Sequence, residues 1–304
     1  MRELSILLWL FTRQVEGLYS LYRPSYKLHL VTSASMQKGE VENSQGLNIV
    51  VLPGFGNAGV DYLNPRGMGE DFGMISALRH LGHSAEVVPI SRLSWLRIAR
   101  GVTSRRFWTY DSEPQDLFSF YLKETERTVL ESFEKSGGQK VTLVGHSAGG
   151  WLARAILGDG DFNGDRRVPS SDVCCGLISL GTPHFPPSNI EADMTRGCLR
   201  FVDKCFPGTH LKNRGISYTS VGSGEVLADK SANQGTRERF AHQSYTAVIG
   251  EDVLRGEAGD GVVPLSRMHL PGAHNITLPG VYHSIDAPRL RWYGGPEVIT
   301  QWLS

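Results

Sequence analysis

The chain has 304 residues, and its 31 lysines and arginines balance 31 aspartates and glutamates to a formal net charge of zero. That length suits one large α/β domain, or a core carrying an insertion. The balanced charge gives no overall attraction for nucleic acid or another polyanion, so no nucleic acid is expected as partner and electrostatic recognition must be local.

Residues 1–45 differ in character from the rest. Arg2 precedes a short apolar run, 4–11, broken only by Ser5, and a stretch rich in Ser, Arg, Lys and Tyr follows with little acid before Glu40. The run is far below the roughly 18 to 20 apolar residues of a membrane-spanning helix, and no small-residue cleavage site follows it closely. Two readings stay open: a targeting or membrane-surface segment, or an N-terminal helix packed through Leu7, Leu10, Phe11 and Leu18.

From Asn48 onward apolar runs alternate with helical stretches, the pattern of a mostly parallel sheet with helices on both faces. Strands are expected at 48–52, 85–90, 140–144, 174–180, 216–221, 246–249 and 275–278. The clearest helices are 72–81, ended by Gly82, and 115–135, begun by Asp111-Ser112-Glu113-Pro114 and ended by Gly137-Gly138. His80 and His83 flank the Gly82 stop and read as structural. Segment 183–215 has little periodicity and is punctuated by Pro186, Pro187, Pro207 and Gly208, which predicts a lid inserted over the site. Cys174, Cys175, Cys198 and Cys205 are too few for a disulfide scaffold. Free thiols in a reducing compartment are expected, with a Cys198–Cys205 pair as the alternative. Nothing in their spacing marks a zinc site, so neither metal nor cofactor is expected.

Val141-Thr-Leu-Val-Gly145-His146-Ser147-Ala148-Gly149-Gly-Trp151 contains G-x-S-x-G between an apolar strand and a helical repeat. This is the strand-to-helix turn that presents a nucleophilic serine, and its glycines are expected where neighbouring chain passes too close for side chains. A serine nucleophile needs a base and a group to orient it, in the chain order Ser, acid, His. Asp260, in Gly259-Asp260-Gly261-Val262-Val263-Pro264, and His283, in Gly280-Val281-Tyr282-His283-Ser284, fit that order. Asp252 and Asp286 compete for the acid; His210, His242, His269 and His274 compete for the base.

The oxyanion needs two backbone N–H donors, expected from Ala148, after the nucleophile, and Phe55, in the loop Pro53-Gly54-Phe55-Gly56-Asn57-Ala58-Gly59. Gly54-x-Gly56-x-x-Gly59 also matches a dinucleotide fingerprint, but the next strand ends in Pro89-Ile90-Ser91-Arg92 without an acid for a ribose. Stretches 91–100 and 105–108 interleave arginines with aromatic and aliphatic residues. They read either as a seat for an anionic lipid headgroup or as a solvated basic face whose aromatics fold inward.

Together PGFGN, GHSAGGW, GTPH, GDGVVP and GVYHS resemble an α/β-hydrolase of the lipase type, and within it the PGAP1-like group of plant and cyanobacterial lipase-like proteins, across residues 47–303. The resemblance implies an α/β-hydrolase domain over 46–304, with a mostly parallel central sheet and a lid insertion. It implies Ser147, Asp260 and His283 as catalytic residues, and a plastid location as against a cytoplasmic or peripheral-membrane one. Pro53 departs from the His-Gly dipeptide many relatives carry. The leading expectation is a serine acyl hydrolase of lipid esters with membrane-surface association. A small-ester or thioester hydrolase and a non-catalytic α/β-hydrolase scaffold are the alternatives.

Overall fold

A strand covered by helices on both faces must hide nearly every side chain, and the described core strands do. Asn48–Leu52 (β1) and Val141–His146 (β3) are buried at every position, and Cys174–Leu180 (β4) at all but Cys175. The computed structural model describes residues 46–159, 169–283 and 291–303. Segment 1–45 and the competing acid Asp286 lie outside the described residues.

Six strands form one sheet in the order β2-β1-β3-β4-β5-β8, where β2 is Ser84–Val87, β5 is Ser217–Gly222 and β8 is His274–Thr277. Every neighbouring pair is parallel. The two-residue period of a strand sorts the side chains between two cores. Ile49 and Val51 join Val144, Leu180 and Trp302 on one face, while Val50 and Leu52 join Leu143, Leu177, Tyr121 and Trp151 on the other. From β1 the chain goes to β2 on one side and returns to β3 on the other. In an open sheet of this kind, ligands bind in the crevice beyond the carboxyl ends of the strands at that reversal.

The helix Pro114–Lys135 begins where the sequence indicates, with Pro114 in its first turn and Glu113 and Asp116 forming a reciprocal cap. The expected strand at 246–249 is a correction: these residues are the last turn of the helix Arg237–Ile249. Thr246, Val248 and Ile249 have the β-branched composition of a strand, but Thr236 caps the helix by accepting from Arg239 N, and Gly250 ends it at φ +84°. Ala241 and Tyr245 then pack on the two-stranded sheet of Val226–Leu227 (β6) and Ala258–Gly259 (β7). Tertiary packing overrides a weak local preference. Asp260 therefore follows β7, outside the main sheet.

Segment 183–215 contains a 3₁₀ turn, Ile190–Ala192, and the helix Cys198–Cys205, whose Cys198, Leu199 and Val202 are buried in the core with Trp151. Cys198 and Cys205 sit at opposite ends of that helix, and all four thiols are free. Burial pushes the Cys174 and Cys198 thiols well above the usual thiol range. Among the described residues no helix is long and apolar enough to cross a membrane.

Candidate active site

β3 ends at His146, and the next residue turns the chain sharply into the helix Ala148–Asp159. Ser147 makes that turn at φ +53°, a left-handed conformation that costs a non-glycine residue about 1 to 2 kcal/mol. It is the one partly exposed residue between Val141 and Leu157. A Cβ at Gly145 would lie 2.4 Å from Gly150 Cα, and one at Gly149 would lie 2.3 Å from the Leu52 carbonyl oxygen. The glycines are thus required by close approach, as the motif predicts.

Asp260 and His283 come together. Asp260 Oδ2 accepts from His283 Nδ1 at 2.6 Å and from the Tyr293 hydroxyl at 3.0 Å, while Oδ1 accepts from the N–H groups of Val262 and Val263 at 3.0 and 2.8 Å. The carboxylate is fully buried, so each of its acceptor sites has to be filled from the protein, and these four donors fill them. His283 N donates to the Asp260 carbonyl oxygen at 3.0 Å, closing the two loops on each other. Burial and the neighbouring Asp260 charge push the Tyr293 hydroxyl well above the usual phenol range, which keeps it a donor. Gly181, at the end of β4, backs the pair at φ +55°; a Cβ there would lie 2.6 Å from Asp260 Oδ2 and 3.0 Å from His283 Nδ1.

His146 joins this pair to the turn. Its ring lies 4.9 Å from that of His283, its Nδ1 is 2.9 Å from the Tyr62 hydroxyl, and its Nε2 is 3.2 Å from the His283 carbonyl oxygen. Tyr62 Oη accepts from Gly54 N at 2.9 Å and Asn57 Nδ2 at 3.2 Å. Its own proton then goes to His146 Nδ1, and Nε2–H donates to His283. Burial, with the facing His283, holds His146 well below the ordinary histidine range, consistent with that neutral tautomer.

Loop 53–59 crosses the mouth beside Ser147, since a Cβ at Gly54 would lie 2.9 Å from Ser147 Cβ. It is fixed at several points: Tyr121 Oη donates to the Pro53 carbonyl at 2.7 Å, Trp95 Nε1 to the Asn57 carbonyl at 2.8 Å, and Ala58 N to Asp61 Oδ2 at 2.8 Å. Phe55 stands in this loop, edge-on to Trp95 with ring centroids 5.0 Å apart. Ala148 begins the following helix, where backbone N–H groups have no acceptor within the helix. Asp61 occupies the start of the short helix Val60–Leu63 and pairs with Arg92. Its carboxylate therefore stands where a dinucleotide would place phosphate.

The competing residues that are described have partners or positions elsewhere. Asp252 pairs with Lys230 and with His242 Nε2, while His269 Nε2 lies 3.1 Å from the Thr277 hydroxyl. His210 sits beside Phe206, and His274 is exposed at the start of β8. A second serine–histidine cluster places His184 Nε2 3.0 Å from Ser179 Oγ and 3.3 Å from Ser220 Oγ. All three residues are at most 1% exposed, so no ester reaches them without opening the sheet. Sequence reasoning missed Tyr62, His146 and Tyr293; only the His before Ser147 carried a signal, through its place inside the motif.

No protein-family model matches the sequence, and no curated protein matches it. Solved structures do. The mature Bacillus licheniformis lipase BlEst2 superimposes with a TM-score of 0.52 at 18% identity, over 84% of this chain and 92% of that one. The metagenomic carboxyl esterase MGS0156 gives 0.51 at 12% identity over 90% and 81%. The chain has the α/β-hydrolase fold. The phospholipase PlaB from Legionella pneumophila gives 0.50 at 12% identity over 84% of this chain, which spans 58% of PlaB. At such identities the likeness carries the fold, and the chemistry rests on the site's own geometry.

Proposed function

We propose that this α/β-hydrolase chain is a serine acyl hydrolase of lipid carboxylic esters. One observation carries the reading: a fully buried Asp260 hydrogen-bonded to His283, whose ring and carbonyl contact the residue immediately before a strained, partly exposed Ser147. In this scheme Ser147 Oγ attacks the ester carbonyl carbon and His283 takes its proton. Asp260 holds the imidazole by Nδ1 and stabilises it when charged. The oxyanion is bound by the N–H groups of Ala148 and Phe55, the latter on a loop already fixed by Tyr62, Tyr121 and Trp95. His283 gives its proton to the departing alcohol, and water then takes the reverse route to free the acid. The route uses these residues and water alone.

The lipid class rests on the motif resemblance; the neighbours, a lipase, a phospholipase and a carboxyl esterase, fit lipid and other ester substrates alike. Membership of the PGAP1-like group and a plastid location belong to the same proposal and rest on the motif resemblance. The lid role of 183–215 belongs to it too, on the segment's low periodicity and its proline and glycine punctuation, and faster turnover of aggregated than of monomeric ester is expected.

The test is an ester series of increasing acyl length, assayed with wild type and Ser147→Ala. Wild-type rates should rise toward long-chain esters, and Ser147→Ala should fall to background. Rates that peak at acetyl esters would return the small-ester reading, and an active Ser147→Ala would overturn the mechanism.

A further inference from the structure

The segment Arg92–Thr103 is a 3₁₀ helix, in which side chains three apart stack in rows. One row faces inward: Trp95, Ile98 and Gly101 are buried, and Trp95 packs against Phe55 of the loop beside Ser147. The second row is Leu93, Leu96, Ala99 and Val102, of which Val102 is half-buried against the core. Both leucines face solvent, Leu93 at 76% and Leu96 at 53% exposure. The third row is Ser94, Arg97, Arg100 and Thr103, with both arginines exposed. Water gives no reason to hold a leucine at 76% exposure when an inward row on the same element is available.

The charge on this stretch is one-sided. Residues 91–110 carry five arginines and no carboxylate in a chain whose net charge is zero. Arg92 and Arg106 are paired, with Asp61 and with Glu113 and Asp116. Arg97, Arg100 and Arg105 have no acid partner in any ion pair among the described residues, and Trp108, 49% exposed, lies at the far end. Aliphatic side chains to sink, arginines to meet phosphate and an indole at the boundary are the chemistry of an anionic lipid surface. A soluble acidic partner would match the arginines and leave the leucine row wet.

We propose that the outward rows of Arg92–Thr103, with Arg105 and Trp108, dock the protein on an anionic lipid surface and set the mouth at Ser147 against it. This docking rests on the lipid-ester reading and names where the substrate is met. The inward row ties the docked element to the oxyanion loop through Trp95, whose indole also donates to the Asn57 carbonyl. Docking through the outward rows therefore bears on the loop that carries Phe55.

Binding is measured separately from turnover by sedimenting the Ser147→Ala protein with phosphatidylcholine vesicles, with and without phosphatidylglycerol. The expected result is recovery with the anionic vesicles, weakened by salt, and little with neutral ones. Arg97→Gln/Arg100→Gln should lower partitioning roughly 25-fold, about fivefold per arginine, and Leu93→Ser/Leu96→Ser by at least roughly tenfold. Lys204→Gln/Arg214→Gln makes the same charge change elsewhere and should keep binding. Unchanged unfolding midpoints show that the row variants are folded.

Equal recovery on both vesicle types, recovery on neither, or row variants that bind like the Lys204/Arg214 control would overturn the docking surface. Recovery on neither is also what an acidic protein partner predicts. Wild type that binds anionic vesicles but hydrolyses no lipid ester fails the lipid-ester reading alone. Wild type that hydrolyses short soluble esters without binding vesicles fails the docking alone.

Discussion

Ser147 holds its left-handed backbone because the residues on both sides are fixed: Ser147 N donates to the Leu180 carbonyl at 2.8 Å, and Gly150 N to the Ser147 carbonyl at 3.1 Å. The strain is a cost to the fold, about 1 to 2 kcal/mol for a non-glycine residue. Ser147→Gly should therefore be more stable than Ser147→Ala by about 1 kcal/mol in urea unfolding, with both inactive. Equal stability would show that the turn is unstrained. Tyr62 is the second residue whose loss should be informative. Tyr62→Phe leaves Gly54 N and His146 Nδ1 without their buried partner, a cost of about 1 to 3 kcal/mol. Because Gly54 borders the proposed oxyanion donor and His146 contacts His283, kcat should fall more than KM rises. A variant equally destabilised but with unchanged kcat would confine Tyr62 to the fold.

The loops at the carboxyl ends of β1, β3, β4 and β8 and the loop after β7, which carries Asp260, bring the site together, and the turn after β4 relies on a residue chosen by shape. Gly181→Ala puts a methyl against Asp260 Oδ2, Tyr293 and His283 Nδ1, at a backbone angle that disfavours a side chain. Ester hydrolysis should drop at least roughly 100-fold, as expected when a base is displaced by even about 1 Å. Near-normal turnover would mean that the pair is held more loosely than its hydrogen bonds imply. The motif and its two glycines were legible because a strand, a turn and a helix are local. β1 and β4 were legible end to end because their apolar runs are uninterrupted. The helix Arg237–Ile249 was read partly as strand because its last turn is β-branched, and what decides it, Tyr245 bonding Val226 and Gly261, is not local. Tyr62 and His146, 84 residues apart, likewise meet only in the folded chain. The three-residue rows of Arg92–Thr103 match neither the strand period of 2 nor the helical period of 3.6, so the sequence pattern does not mark them.

At the scale of the molecule, two histidines are buried neutral, His146 at 1% and His184 at 0% exposure. Desolvation is the main cause holding both well below the ordinary histidine range, with His283 adding to it at His146 and Arg154 at His184. Below the unfolded value of about 6.5 the unfolded chain takes up protons that the folded chain refuses. The stability they lend is thus complete above that pH and is lost as pH falls below it, by at most about 1.4 kcal/mol per pH unit for each histidine. Urea unfolding between about pH 7 and pH 5 should show this slope, and His184→Gln should reduce it. A flat profile would mean that one or both rings protonate in place. The sheet supports this burial, since β3 delivers His146 and β4 leads directly to His184, with helices covering both faces.

The central claim, that Ser147 is a nucleophile served by His283 and Asp260, is tested most directly by covalent capture. The folded protein is treated with a fluorophosphonate and its peptides are mapped by mass spectrometry. A single adduct on Ser147 is predicted, formed at a rate that falls sharply in His283→Ala and Asp260→Asn while both variants keep the wild-type circular dichroism spectrum. An adduct on another serine, equal labelling of the His283→Ala variant, or no adduct at all would contradict the account.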